Sequence, residues 1–282
     1  MKEIILAKSA GFCFGVERAV DLVYQKLKEG GNIYTYGEII HNEAVVEDLA
    51  RHGVKIIEDI NDIEGREPGI VIIRSHGVSK DVYAKLEEYG MQIVDATCPF
   101  VLKIHRLVEK ASAEGKHNVI VGDANHPEVQ GIMGWCESPA TVIDNEEEAE
   151  AFVSDNPDIH IVSQTTFQNN KFNHLVDILK KKRYNESISN TICNATEVRQ
   201  KEAREIAKSV DAMIVIGGKN SSNTRKLYEI SKQECPQTFL IGGRKDLDLE
   251  KLKAAERIGI TAGASTPNNI IQEVYTSVRT EF

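Results

Sequence analysis

No Cys-x-x-Cys pair occurs in the 282 residues, although the chain holds five cysteines, Cys13, Cys98, Cys136, Cys193 and Cys235. That absence removes the zinc-ribbon and thioredoxin-type readings, which need local thiol pairs. No apolar run approaches the length that spans a bilayer. Residues 1–10 lack a long apolar segment ahead of a small-residue cleavage site, so they read as a first strand and not as a signal peptide. The expectation is a cytoplasmic protein with no membrane partner. Basic residues are in deficit: 34 Lys and Arg against 43 Asp and Glu give a net charge of −9. An acidic surface opposes nonspecific nucleic-acid binding, so no nucleic-acid partner is expected. It still allows an anionic small ligand held by backbone N–H groups, helix N-termini and neutral donors. In a reducing compartment, an odd number of widely spaced cysteines points away from disulfides and toward metal or redox roles.

What is present is an ordinary globular balance, 41% hydrophobic and 27% charged, in a length that allows one to three domains. It is organised as a repeat. Cys13, Cys98 and Cys193 are each followed by an amphipathic helical stretch: FGVERAVDLVYQKLKEG, PFVLKIHRLVEKASAEG and NATEVRQKEAREIAKSV. Apolar residues recur at helical steps, as Val16, Val20 and Val23, then Val101, Ile104 and Val108, then Val198 and Ile206 with Ala203 between. Each helix gives way to a strand (NIYTYGE, HNVIVGD, AMIVIGG), and each strand to a polar turn. His41, His126 and Ser221 in those turns all lie 28 residues beyond their cysteine. A second helix follows each turn. A further strand then ends in a second polar loop: IVIIRSHGVS, IHIVSQTTFQ and IGITAGASTP, presenting His76, Thr165 and Ser265. The first two units return to the next cysteine through a strand (MQIVDAT) or a looser segment (NESISNTI).

Strand–helix alternation of this kind predicts parallel sheets with right-handed crossovers. The expected fold is α/β, with three similar small domains and mostly parallel sheets. Their limits are 14–97, 98–192 and 193–282, the last completed by residues 1–13. Ligands of parallel sheets bind at the C-terminal strand ends, where all the marked loops fall. Three thiolates in register suit an iron–sulfur cluster with one iron left open. A three-cysteine zinc site is the structural rival. Cys136 and Cys235 lie off the register and read as small buried or surface thiols. Pro127 fits the first position of a helix, which places Glu128 in its first turn. A helix N-terminus favours the ionised carboxylate, so an acid role for Glu128 requires burial or a hydrogen-bonded chain to offset it. Ser221, Ser222 and Asn223, like Ser265, are short donors ahead of helices, suited to capping or to binding a diphosphate.

The stretches AGFCFGVERAV, YTYGEIIHNEAVV, RSHGVS, DATCP, HPEVQGIMG, SQTT, CNATEVRQ, KNSSNT and TAGAS together resemble the 4-hydroxy-3-methylbut-2-enyl diphosphate reductase family, from Lys8 to about Ile271. The resemblance implies pseudo-threefold symmetry around a central [4Fe–4S] cluster on Cys13, Cys98 and Cys193, with the fourth iron open to substrate. It implies an allylic diphosphate as substrate and a ferredoxin or flavodoxin as donor of two single electrons. The products would be isopentenyl and dimethylallyl diphosphate, the last step of the non-mevalonate isoprenoid pathway. Residue by residue, Glu128 matches the proton source and Thr165 its hydroxyl partner. His126 matches a member of the proton relay, and His41, His76 and His126 match diphosphate ligands. Ser221, Ser222, Asn223 and Ser265 match the remaining diphosphate donors. A monomer or weak dimer is expected. Asp123 and Asn125 depart from the family pattern before the HPE core. Two other classes fit open iron or three thiols: a non-redox hydro-lyase, and a non-enzymatic cluster sensor or zinc scaffold.

Overall fold

The computed structural model describes residues 2–282. The chain begins with β1 (Glu3–Leu6), α1 (Phe14–Glu29), β2 (Ile33–Tyr36), α2 (Glu43–Arg51), β3 (Lys55–Ile57), β4 (Ile70–Ile73), α3 (Lys80–Glu88) and β5 (Gln92–Asp95). It continues with α4 (Pro99–Ala113), β6 (His117–Val121), α5 (Pro127–Met133), β7 (Ala140–Ile143), α6 (Glu146–Ala151), β8 (Asp158–Ser163), α7 (Asn169–Lys180) and β9 (Asn185–Ile188). Last come α8 (Asn194–Ala207), β10 (Ala212–Ile216), α9 (Ser222–Glu234), β11 (Thr238–Ile241), β12 (Arg257–Ala262) and α10 (Asn268–Glu281). Among the described residues no helix is long and apolar enough to cross a membrane.

The strands form three 4-stranded sheets, β3-β2-β4-β5, β7-β6-β8-β9 and β11-β10-β12-β1. Every pairing is parallel. The α/β architecture expected from the repeat is therefore present in three copies. Each sheet has the same order: its first strand (β2, β6 or β10) lies between its second and third. β1 pairs with β12 from Glu3↔Arg257 to Leu6↔Ile260 and occupies the place that β5 and β9 take in the other sheets. The chain falls into two compact units. One comprises Met1–Glu17, His41–Glu47 and Asn194–Phe282; the other comprises Arg18–Ile40 and Asp48–Cys193.

Burial on both faces explains the apolar runs of the central strands. In β6 and β8, Val119, Val121, Ile159 and Ile161 pack with Phe172, Leu175 and Val176 of α7. Ile120 and Val162 alternate to the other face and meet Ile104 and Val108 of α4 with Val129 and Ile132 of α5. In β10, Ile214 and Ile216 face Ile271, Val274 and Val278 of α10. Met213 and Val215 face Ala203 and Ile206 of α8 and Leu227 of α9.

The structure departs from the sequence reading in three respects. It adds a second strand to each repeat, β3, β7 and β11, each of three or four residues. Runs this short carry too little periodicity to stand out from a loop. The segment read as looser contains β9, whose polar NESI sequence is tolerated because it is an edge strand paired only with β8. Val198, read as part of the apolar face of α8, is 48% exposed; the buried face runs through Thr196, Arg199, Gln200 and Ala203 instead.

Gly77 shows how tightly the loop after β4 is held. Its φ is +71°, and a Cβ there would stand 2.7 Å from His105 Cε1 and 3.0 Å from Thr97 Cγ2. The His105 ring is itself stacked on Trp135, with centroids 5.1 Å apart. Burial pulls its pKa down to about 4, so the ring packs as a neutral group. Gly77→Ala combines a left-handed backbone with a clash against packed groups, and should lower unfolding free energy by about 2 kcal/mol. Urea denaturation measures this loss.

Candidate active site

The strand order places the loops before it places any side chain. In each sheet the chain leaves the first and third strands in different directions, which opens a crevice at their C-terminal ends. The loop after β2 carries His41 and the loop after β4 carries His76. The loops after β6 and β8 carry His126 and Thr165, and those after β10 and β12 carry Ser221 and Ser265. A backbone bond joins the start of the loop after each third strand to the first strand or the loop beyond it: Ser75 N donates to Ile39 O (3.2 Å), Gln164 N to Val121 O (2.8 Å) and Gly263 N to Ile216 O (2.9 Å).

The cysteines repeat a second geometry. Cys98 N donates to Ser75 O (2.9 Å), Cys193 N to Thr165 O (2.9 Å) and Cys13 N to Ala264 O (3.2 Å). In every repeat, therefore, the cysteine amide is seated on the loop that follows the third strand. Each cysteine is half-buried and immediately precedes a helix, α1, α4 or α8. None of the five cysteines is in a disulfide. The other two are different in kind. Burial pushes the Cys136 thiol up to about 12, and Cys235 is likewise raised by burial; their Sγ–H groups lie against Ile132 O (3.5 Å) and Asp211 O (3.5 Å). Both stay protonated and suit packing better than metal binding.

In the second unit, Glu128, His126, Thr165 and His76 come together. His126 caps α5, its Nδ1 accepting from Glu128 N (3.1 Å), and Pro127 holds the first helical position. An accepting Nδ1 puts the proton of the neutral ring on Nε2, which is left as a donor. The ring meets His76 edge to face, with centroids 5.3 Å apart. Glu128 is only 2% exposed. Its Oε1 accepts from Thr165 N (2.6 Å) and its Oε2 from Thr165 Oγ1 (2.7 Å). Burial raises the Glu128 pKa, and the two bonds from Thr165 only partly oppose it. The conflict between helix dipole and acid role is thus decided by desolvation, which favours the protonated carboxyl. Asp123 forms a turn here: its Oδ1 accepts from Asn125 N (3.0 Å), and its carbonyl accepts from His126 N (2.9 Å). The departure at 123 and 125 leaves the cap intact.

In the first unit, His41, Ser221 and Ser265 come together. Ser265 Oγ donates to His41 O (3.1 Å) and lies 3.4 Å from Ser221 Oγ. Ser221 caps α9 by accepting from Thr224 N (3.3 Å). Ser222 and Asn223 are buried in the first turn. Neither Nδ2 nor Oδ1 of Asn223 finds a hydrogen-bond partner among the described residues. A buried amide left so is costly unless a ligand satisfies it. Gln164, which sequence reasoning missed, has a similar vacancy. It is buried beside Thr165, its Oε1 accepts from Asp123 N (3.2 Å), and its Nε2 has no partner among the described residues. Its place between Ser163 and Thr165 at a strand end was the available signal.

These features fit an enzyme of the parallel α/β class, with a buried carboxyl whose pKa is raised and buried neutral donors at the carboxyl edges of its sheets. The chain belongs to the LytB protein family, whose profile matches residues 4–279. It is 46% identical over 276 residues to the 4-hydroxy-3-methylbut-2-enyl diphosphate reductase of Alkaliphilus oremlandii, covering 96% of this chain and 97% of that one. It is 46% identical to the protein of the same name from Caldanaerobacter subterraneus subsp. tengcongensis, covering 98% and 96% of the two chains. Among solved structures it resembles the E-1-hydroxy-2-methyl-but-2-enyl-4-diphosphate reductase of Plasmodium falciparum, with a TM-score of 0.92 and 31% identity over 98% of this chain and 87% of that one. It also resembles a structure of (E)-4-hydroxy-3-methyl-but-2-enyl diphosphate reductase, described as the terminal enzyme of the non-mevalonate pathway. There the TM-score is 0.71, with 41% identity and full coverage of both chains.

Glu128 links the site to folding stability. An unfolded chain ionises this carboxyl near 4.5, whereas the folded chain keeps the proton to higher pH. The folded state binds more protons above that point, so the group's contribution to stability falls as pH rises through its folded pKa. Glu128→Gln removes this dependence. The variant should gain stability relative to the parent as pH rises above 4.5, which urea unfolding at a series of pH values measures.

Proposed function

We propose that this chain reduces 4-hydroxy-3-methylbut-2-enyl diphosphate to isopentenyl and dimethylallyl diphosphate in the cytoplasm, with ferredoxin or flavodoxin as electron donor. The reading is carried by likeness to relatives of that name over 96% and 98% of the chain. Cys13, Cys98 and Cys193 would hold a [4Fe–4S] cluster. The donor set fits it: three half-buried thiols ahead of helices, seated by equivalent amide bonds, whereas Cys136 and Cys235 lie off that register and stay protonated. When bound, such a cluster supplies single electrons and a Lewis-acidic iron without a protein ligand.

The chain's own residues manage binding and protons. Ser221, Ser222, Asn223 and Ser265 surround the start of α9, and the unsatisfied Asn223 amide there suits the oxygens of a diphosphate. His41, His76 and His126 are the further diphosphate ligands in this reading, His126 donating through Nε2. Reductive dehydroxylation adds two electrons and two protons: the C–O bond breaks, the hydroxyl leaves as water, and a C–H bond forms on the allylic carbon skeleton. Glu128 is suited to supply protons because burial keeps it protonated at a pH where an exposed carboxyl is ionised. Thr165, bonded to Glu128 through its hydroxyl, leaves a lone pair to orient the substrate hydroxyl toward that acid.

Anaerobically purified protein should carry about four iron and four sulfide per chain. Cys13→Ser, Cys98→Ser or Cys193→Ser should each lose most of it, and Cys136→Ser none. Stoichiometric zinc without sulfide, or equal losses in all four variants, would remove the cluster. In an anaerobic assay with the allylic diphosphate, turnover should require a one-electron reductant, and Glu128→Gln should lower kcat by about 100-fold or more while still binding substrate. Water loss without reductant would replace the reductase reading with a hydro-lyase.

A further inference from the structure

Two arginines inside the recognised stretches, Arg18 of AGFCFGVERAV and Arg199 of CNATEVRQ, have no part in the proposed chemistry. Arg199 lies on α8 and is 6% exposed, on the face where an apolar residue was expected. Its Nη1 donates to Ala195 O (3.0 Å) and its Nη2 to Gly11 O (2.8 Å). Ala195 is two residues past Cys193, and Gly11 is two residues before Cys13. One turn further along α8, Glu202 takes the opposite polarity of the same loop. Its Oε1 accepts from Lys8 N (2.8 Å) and its Oε2 from Ser9 N (2.9 Å) and Ser9 Oγ (2.5 Å). Arg18 repeats the device elsewhere. It lies on α1, five residues past Cys13, and donates from Nη1 to Thr97 O and from Nη2 to Asp95 O, both at 3.1 Å. Thr97 and Asp95 are one and three residues before Cys98.

We infer that Arg18 and Arg199 are positioning residues, each on the helix behind one cysteine and each clamping the backbone that leads into the next. The inference rests on the proposed cluster. The clamped backbone is the last residue of β5 and the loop beyond it in one case, and the loop between β1 and Cys13 in the other. At Thr97 and Gly11 the strand has ended and the next helix has not begun. Gly11, at φ +106°, offers no side chain with which the loop could anchor itself. A guanidinium meets two carbonyls with a rigid fork of charged donors, which an ammonium does not match. The approach to Cys193 needs no such clamp. Thr191 Oγ1 donates to Ser163 O (2.5 Å) and accepts from Ser163 N (2.8 Å), fixing that segment locally. The clamps therefore occur at the two cysteines whose approach lacks this threonine anchor to the neighbouring strand.

The test compares Arg199→Lys, Arg199→Gln and Arg18→Gln with the parent, with circular dichroism to establish folding. In reconstituted protein, each variant should hold iron against a competing chelator about 10- to 100-fold less tightly and release it correspondingly faster, the usual loss of affinity when a residue that orients metal ligands is removed. Lys should rescue poorly, because it keeps the charge without the fork. In metal-free protein, hydrogen exchange should rise around residues 8–13 in the Arg199 variants and around 95–98 in Arg18→Gln, with no exchange of pattern. Parent-like iron release or parent-like exchange in folded variants would overturn the clamps and leave the cluster standing. A parent chain that binds no iron and sulfide would remove the cluster reading, and this inference with it.

Discussion

Everything in this protein hangs on the parallel ladder of each sheet and the order in which its strands are laid down. With the first strand between the second and the third, the chain departs from neighbouring strands in different directions. The carboxyl edge is then a row of loop starts with backbone groups that the ladder no longer satisfies. In each of the three repeats, such groups are taken up by a bond across to the first strand or its loop and by the cysteine amide. The site residues are thus held by backbone geometry first, and their chemistry follows from where that geometry leaves them.

Glu128 is the clearest instance. A carboxyl in the first turn of a helix is ordinarily an ion, and two hydrogen bonds from Thr165 push it the same way. Complete removal from water pushes it the other way and wins. The same desolvation acts on Cys136 and Cys235, keeping them as thiols. One physical term thus holds a carboxyl and two off-register thiols toward their neutral forms.

Much of the architecture was legible without coordinates. Alternating strands and amphipathic helices, together with turns 28 residues beyond each of three cysteines, sufficed for three parallel α/β repeats. The parts that were not legible share a cause. β3, β7 and β11 are too short for periodicity to register, and β9 is too polar, yet each is stabilised by the ladder to a neighbour distant in sequence. Val198 is exposed on the helix whose apolar face it was expected to join, and Arg199, bound to Gly11, is buried there instead. No helical wheel anticipates a partner 188 residues away.

By itself, the sequence determined which residues are candidates: three cysteines in register, the histidines, serines and carboxyl at strand ends, and the motifs that match a reductase family. Side-chain type and spacing carry that information because strand, turn and helix are local choices. Only the tertiary structure decided protonation and partnership. It buried Glu128 against Thr165, set Nδ1 of His126 as the acceptor of the Glu128 amide, left the Asn223 amide unsatisfied, and kept Cys136 and Cys235 as thiols. Those properties depend on how much water reaches a group and on which distant backbone faces it, and neither exists until the chain has folded.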